Sequence, residues 1–221
     1  MKLAGWGNYP WVETVARSFR GDPAVLDGAN SLIARGNGRA YGDAAVSHHL
    51  TVSMLAHDRL LAFEPETGRL TCEAGALLSD IVAAFLPRGW FAPVTPGTRL
   101  VTVGGMIAAD VHGKNHHVAG SFGRHVESLR LLRADGSVTE CRRGEPLFRA
   151  TVGGMGLTGI ILNATFRMQR VETAYIRQQT VAAANLDAVM AAFEESAGWT
   201  HSVAWIDCLA GGAALGRSLL Y

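Results

Sequence analysis

The spacing of apolar residues divides the chain into three stretches. From residue 1 to about 57, an aromatic-rich opening leads to a run near Trp11 to Phe19 whose apolar spacing predicts a helix. Short apolar runs at Leu32 to Arg35 and Thr51 to Leu55 then predict strands. Between 59 and 169, Leu60 to Phe63 and Leu70 to Glu73 form a predicted hairpin around Glu66-Thr-Gly68. Apolar positions 77, 78, 81, 82, 85 and 86 follow at helical spacing and end near Gly89. A second hairpin, Ser128 to Arg133 and Ser137 to Cys141, turns on Ala134-Asp-Gly136, and Ile160 to Met168 predicts a closing strand. From 171 the pattern gives a strand, an amphipathic helix and two strands near 203 to 207 and 215 to 221. That helix carries Leu186, Val189, Met190 and Phe193 between an Asn185 cap and Gly198. The expected fold class is α+β, with two mixed lobes (about 1–57 and 59–169) and a third piece.

Composition narrows the partners. The 221 residues are 48% apolar with a formal net charge of +1, enough for a sizeable core and without the basic footprint of nucleic-acid binding. No apolar run approaches the roughly 20 residues of a bilayer span. The opening Met1-Lys-Leu-Ala-Gly-Trp-Gly lacks a signal-peptide core, so a soluble or peripheral protein at a cytoplasmic or periplasmic face is expected. Three cysteines without a CxxC pair point to reduced thiols in place of a disulfide framework.

Two glycine-rich segments carry candidate chemistry. Ile33-Ala-Arg-Gly-Asn-Gly-Arg-Ala-Tyr-Gly-Asp43 follows an apolar run, and its glycines at 36, 38 and 42 suit a nest of N–H groups around phosphate oxygens. It is not the GxxxxGK[ST] loop. The second, Val101-Thr-Val-Gly-Gly105, opens a short helix at Met106 to Ala109 whose start and dipole would favour an anion. His112-Gly-Lys114 then sets two polar side chains just past that helix. A glycine-rich surface loop with solvated histidines is the plain alternative for this second segment.

Other matches fail on context. Gly154-Met-Gly-Leu-Thr-Gly159 satisfies GxGxxG, but an alternating β run follows it where a Rossmann site requires a helix. His112, His116 and His117 have no accompanying cysteine or carboxylate at ligand spacing, so no metal is expected. Ala119-Gly-Ser-Phe-Gly123 lacks the strand-to-helix setting of a nucleophile elbow.

Taken together, the blocks Arg35-Gly-Asn-Gly-Arg-Ala-Tyr-Gly-Asp43, Pro96-Gly-Thr-Arg99, Val101-Thr-Val-Gly-Gly105, Asp110-Val-His-Gly-Lys-Asn-His-His117, Ala119-Gly-Ser-Phe-Gly123 and Thr151-Val-Gly-Gly-Met-Gly-Leu-Thr-Gly-Ile160 resemble the FAD-linked oxidases of the vanillyl-alcohol-oxidase type. Within them the chain is most similar to the decaprenylphosphoryl-ribose 2-oxidases. The resemblance implies a PCMH-type FAD-binding domain over residues 1–170 and the beginning of a substrate (cap) domain over 171–221. It implies that Ala34, Arg35, Gly36, Asn37, Gly38, Arg39, Ala40, Tyr41, Gly42, Asp43 and Ala44 wrap the FAD pyrophosphate, with charge from Arg35 and Arg39. Gly97, Thr102, Val103, Gly104, Gly105, Ala109, Asp110, Val111, His112 and Ile161 would hold the rest of the cofactor. His112 and Lys114 would face the substrate, Tyr41 would border its pocket, and Trp205 would pack from the substrate lobe.

The implied reaction moves a hydride from a sugar carbinol to FAD, leaving a ketone. The implied substrate is the 2-hydroxyl of a polyprenyl-phosphoryl ribose, with a short-chain reductase as partner and peripheral membrane contact through the lipid. An alditol, aldonolactone or hydroxy acid is the alternative. Tethering members place a histidine where this chain has Arg39, so FAD is expected to be non-covalent. Members run to more than twice this length and carry the main base in a C-terminal part, so the chain is expected to be a fragment.

Overall fold

The computed structural model describes residues 1–221. Its first lobe opens with an antiparallel pair, β1 (Lys2–Leu3) and β2 (Val12–Glu13). It continues into a parallel sheet of β3 (Val15–Ser18), β4 (Leu32–Arg35) and β5 (Leu50–Ser53), ordered β3-β5-β4. The helix expected near Trp11 to Phe19 is therefore strand. Burial there alternates, with Val12 and Thr14 inside and Glu13 outside, and the backbone of Val15–Ser18 pairs with Leu50–Ser53. Helical spacing and β-branched residues compete in such a short run, and a parallel partner some 35 residues on decides for strand. Phe19, Leu50, Val52 and Met54 pack with Leu132 and Ile160 of the second lobe, so the two lobes share apolar contact.

The second lobe begins with the hairpin β6 (Leu60–Glu64) and β7 (Arg69–Glu73), then α1 (Leu78–Phe85). A 3-10 turn ends α1 at Gly89, whose φ of 77° is the left-handed conformation glycine adopts without strain. After β8 (Trp90–Phe91) come α2 (Val103–Ala108), the one-turn α3 (His116–Ala119), β9 (Val126–Leu132), β10 (Val138–Arg142), α4 (Pro146–Thr151) and β11 (Ile160–Arg167). The long strands form one antiparallel sheet in the order β10-β9-β11-β7-β6. Its inner face joins Ile81, Met106, Ile107 and Phe122 of the covering segments in the main core. Each such side chain, fully withdrawn from water, contributes about 1.5–3 kcal/mol. The outer face is polar: Thr71 and Thr165 share a 2.8 Å hydroxyl contact, and Glu127 holds both Arg69 (2.8 Å) and Arg167 (2.9 Å).

The two-residue β12 (Gln169–Arg170) pairs with β8 and ends the second lobe; the strand, helix and two strands expected from 171 onward follow in that order. Residues 171–221 then form β13 (Val181–Ala183), α5 (Leu186–Glu195), β14 (Ala204–Ile206) and β15 (Ser218–Leu220), with sheet order β13-β15-β14. Asn185 caps α5, its Oδ1 accepting from Ala188 N at 3.0 Å. This small unit touches the second lobe beside the histidine loop, where Ser202 N donates to Lys114 O at 2.9 Å. No helix is long and apolar enough to cross a membrane.

Candidate functional site

A cleft opens between the two lobes. Its walls are the end of β4, the following loop, Met54 and Ala74 from the lobe junction, Thr102, Gly104 and Gly105 of α2, and Met155, Gly156, Gly159 and Ile161. Backbone accounting separates the two glycine segments. From Gly36 to Ala45 no backbone N–H donates to any acceptor in the protein. An unpaired run of this length is the feature expected of a phosphate-binding loop, since buried or half-buried N–H groups otherwise find partners.

The start of α2 behaves differently. Val103 N donates to Ala76 O (2.9 Å), Gly104 N to Ala74 O (2.8 Å) and Gly105 N to the Thr102 hydroxyl (3.2 Å). The expected anion site at this helix start is thereby corrected: its donors are already spent on the 74–76 segment and on the Thr102 cap. What Gly104 supplies is close approach, because a Cβ there would sit 2.9 Å from that of Ala74. Gly36 does the same for the loop, with its Cβ position 2.3 Å from Thr102 Oγ1.

Arg35 also differs from expectation. Its guanidinium donates to Ala4 O (2.8 Å) and Ala45 O (3.3 Å) and lies under Gly38, so it braces the loop from behind and does not line the cleft. Burial lowers its pKa. Arg39 does line the cleft, with its guanidinium over the Trp6 ring at 5.1 Å and its Nε buried without a partner.

Ala34, Gly36, Asn37, Gly38, Arg39, Ala40 and Ala44 line the cleft with Thr102, Gly104, Gly105, Ala109, Val111 and Ile161, whereas Gly42, Asp43, Val103 and Asp110 do not. Val103 is fully buried in the core. Asp110, at φ 41°, spends both carboxylate oxygens inside the fold, accepting from Ser121 Oγ and Gly123 N at 2.8 Å each. It pins the turn that precedes His112.

A second, wider chamber adjoins the first, and the two share Ala109, Val111 and Met155 in their walls. Tyr41, Gly97, His112, Lys114, His116 and His117 line it, opposite Phe193, Ser196, Ser202 and Val203 of the C-terminal unit. Gly113 lets this loop pass within contact of Thr95, since a Cβ there would stand 2.8 Å from Thr95 O, and the buried Asn115 anchors it by donating to Pro93 O at 2.8 Å. His116 Nδ1 donates to Gly113 O (3.2 Å) and His117 Nε2 to Trp199 O (2.9 Å); a carbonyl can only accept, so these nitrogens carry the protons. No group of three or more metal-ligating side chains converges. Trp205 is 60% exposed on β14 and lines neither space, so the structure does not bring it to the chamber.

Two features carried no sequence signal. Met155 holds φ 52° between positive-φ glycines at 153, 156 and 159. Glu73 is buried at the lobe junction, accepting from Arg59 Nε at 2.9 Å and from Arg59 N at 2.8 Å, with His57 Nδ1 3.3 Å away. Burial works to raise the Glu73 pKa, but the bonds from Arg59 and the charges of His57 and Arg59 hold it below the usual value. Burial pushes His57 down, opposed by Glu73. Neither pair forms a motif, because the three residues meet only when β6 and β7 pair.

Two lobes closing on a loop of unpaired N–H groups define a protein built to hold a phosphate-bearing dinucleotide. Residues 28–142, just over half the chain, match the family described as FAD binding domain, and the chain belongs to that family, in its PCMH type. It is 42% identical to decaprenylphosphoryl-beta-D-ribose oxidase of Mycolicibacterium smegmatis, across 99% of this chain and 51% of the relative. Similarity extends to L-gulonolactone oxidase of Mus musculus (31% identical, 60% of this chain, 30% of the relative) and to D-2-hydroxyglutarate dehydrogenase of Escherichia coli (28%, 64% and 14%). The chain spans about half the length, or less, of these curated relatives. The cleft fits FAD: the free N–H groups of Gly36 to Ala40, Ala44 and Ala45 suit a diphosphate, and the apolar Ala34, Met54 and Ile161 suit a ring system.

Proposed function

We propose that this chain is the flavin-binding part of an oxidoreductase that oxidises a sugar hydroxyl to a ketone. Residues 1–170 act as the FAD-binding domain and 171–221 begin the substrate domain. The observation that carries the reading is the unpaired N–H run at 36–45, of which Gly36 to Ala40, Ala44 and Ala45 line a cleft that shares walls with a chamber holding His112 and Lys114. The N–H groups of the cleft-lining Gly36 to Ala40, Ala44 and Ala45 bind the diphosphate, with charge from Arg39. Ala34, Thr102, Gly104, Gly105, Ala109, Val111 and Ile161 seat the remainder. When bound, FAD supplies the two-electron acceptor for the hydride that leaves the carbinol carbon. His112 and Lys114 bind and orient the substrate hydroxyl, whose proton passes to a general base as the hydride leaves, and Tyr41 with Gly97 shapes the chamber. Asp110 and Asn115 hold that loop rigid, so the substrate meets a fixed geometry.

The favoured substrate is a polyprenyl-phosphoryl ribose, supported by the identity to the mycobacterial enzyme over nearly the whole chain. Lys114, a compact cation, suits its phosphate or hydroxyls. Such a substrate would bring the protein to a membrane surface and pass its ketone to a short-chain reductase. The likeness to a lactone oxidase and a hydroxy-acid dehydrogenase supports an aldonolactone or hydroxy acid as the second reading. FAD is held without a covalent bond, because Arg39 stands where a tethering histidine would be needed. Titrating the purified protein with FAD, precipitating it with acid, and bleaching the flavin band with each substrate test the three parts in turn. Yellow colour retained in the acid pellet refutes non-covalent binding; a band bleached by a hydroxy acid and not by the lipid-linked ribose refutes the favoured substrate.

A further inference from the structure

Residues Ala4 to Trp6 lie against the outer side of the 36–45 loop, and three contacts tie them to it. Trp6 N donates to Ala40 O at 2.8 Å, and Ala4 O accepts from Arg35 at 2.8 Å. A Cβ on Gly5 would stand 2.6 Å from Ala40 O and 2.4 Å from Gly42 O, so only glycine permits this approach. In a trans peptide the C=O and the next N–H point in opposite directions. With the carbonyls of Ala40 and Gly42 drawn toward Gly5 and Trp6, the N–H groups of Tyr41 and Asp43 are turned away from this segment and left unpaired.

The Trp6 ring adds a side-chain contact. Its indole is half-exposed and lies under the Arg39 guanidinium at 5.1 Å, while Arg39 itself lines the cleft with an unpartnered, buried Nε. A guanidinium held over an aromatic ring is attracted through the ring's π face and spends no N–H on a hydrogen-bond acceptor there, so its donors stay free for an anion. The cation–π contact also removes rotamer freedom from Arg39 before any ligand arrives, which reduces the ordering cost at binding. We propose that Trp6 is a positioning residue for the cofactor diphosphate, holding Arg39 at the cleft wall. The inference rests on the FAD reading above and adds a residue from outside the two glycine segments.

The test is a set of titrations of the folded protein with FAD, ADP and riboflavin, using wild type, Trp6→Ala, Trp6→Phe, Arg39→Ala and the Trp6→Ala/Arg39→Ala double variant. A cation–π contact of this kind predicts that Trp6→Ala weakens FAD and ADP by about tenfold. Riboflavin, which has no diphosphate, keeps its affinity, and Trp6→Phe recovers most of the loss. The double variant binds FAD no more weakly than Arg39→Ala alone, because the tryptophan acts through the arginine. Should Trp6→Ala unfold, Trp6→Leu against Trp6→Phe makes the same comparison. Equal FAD and ADP affinities in the aromatic and non-aromatic variants, additive losses, or an equal loss for riboflavin overturn the proposal. A wild-type protein that binds neither FAD nor ADP overturns the cofactor reading itself, and the inference with it.

Discussion

Replacing Gly36 by alanine isolates the contact on which the loop's placement depends. The backbone dihedral there is one any residue adopts, so the added methyl acts only through what it touches. It would stand 2.3 Å from Thr102 Oγ1, 3.2 Å from its Cγ2 and 3.3 Å from its Cβ. Relief requires Thr102 to rotate or the loop to retreat by about 1 Å. Rotation releases Gly105 N from its 3.2 Å cap, worth about 1 kcal/mol, and residual crowding adds about 1–3 kcal/mol. Loop retreat also moves the donors of Gly36 and Asn37, and losing one charge-assisted bond to phosphate lowers FAD affinity by about tenfold or more. Urea denaturation and FAD titration of Gly36→Ala, Thr102→Ala and the double variant measure both effects. Because Thr102→Ala removes the obstructing hydroxyl, the double variant loses little beyond the cap. Additivity of the two single effects to within about 0.5 kcal/mol would refute the contact argument.

Acid stability follows from the junction pair. Glu73 is held below its ordinary value of 4.5, so its contribution is present above that pH and is lost as pH falls through the folded value. His57 is also held below its ordinary 6.5, so the unfolded chain takes up its proton first and stability declines from that pH downward. Glu73→Gln should flatten the lower part of this profile in a pH series of thermal melts; an unchanged profile counts against the pair. Lys114→Ala should raise KM or lower kcat about tenfold or more on the lipid-linked ribose at unchanged flavin content, and loss of flavin would reassign the lysine to the cofactor. Asp110→Ala should cost about 2 kcal/mol in urea denaturation by orphaning Ser121 and Gly123 N, while equal stability would show that the turn is held by other contacts.

Locally encoded elements were legible in the sequence. The Asp-Gly turn at 135–136 marks a hairpin whose strands run Val126–Leu132 and Val138–Arg142, and the Asn185 cap opens α5. The α+β class followed from such pieces. Trp11 to Phe19 reads as helix from its sequence but is strand, because its apolar spacing suits either structure and the deciding partner, Leu50–Ser53, is distant in sequence. Both glycine segments stood out as candidates, but composition could not tell their roles apart. That distinction depends on which N–H groups already have acceptors, and the carbonyls of Ala74 and Ala76 reach α2 only through the fold. Arg35 illustrates the same limit: its sequence position suggests a phosphate ligand, whereas Ala4 and Ala45 claim its donors from behind the loop. The cation–π contact of Arg39 with Trp6 joins residues far apart in the chain and has no motif.

Hydrogen exchange with and without FAD separates the two glycine segments, because their amides differ in state before ligand binds. The unpaired amides from Gly36 to Ala45 should exchange rapidly in the free protein and become protected at saturating FAD. The amides of Val103, Gly104 and Gly105, already bonded, should be slower from the outset and change little. Protection that appears at 103–105 while 36–45 stays fast, or no protection in either segment at saturating FAD, would show that the 36–45 loop does not hold the diphosphate.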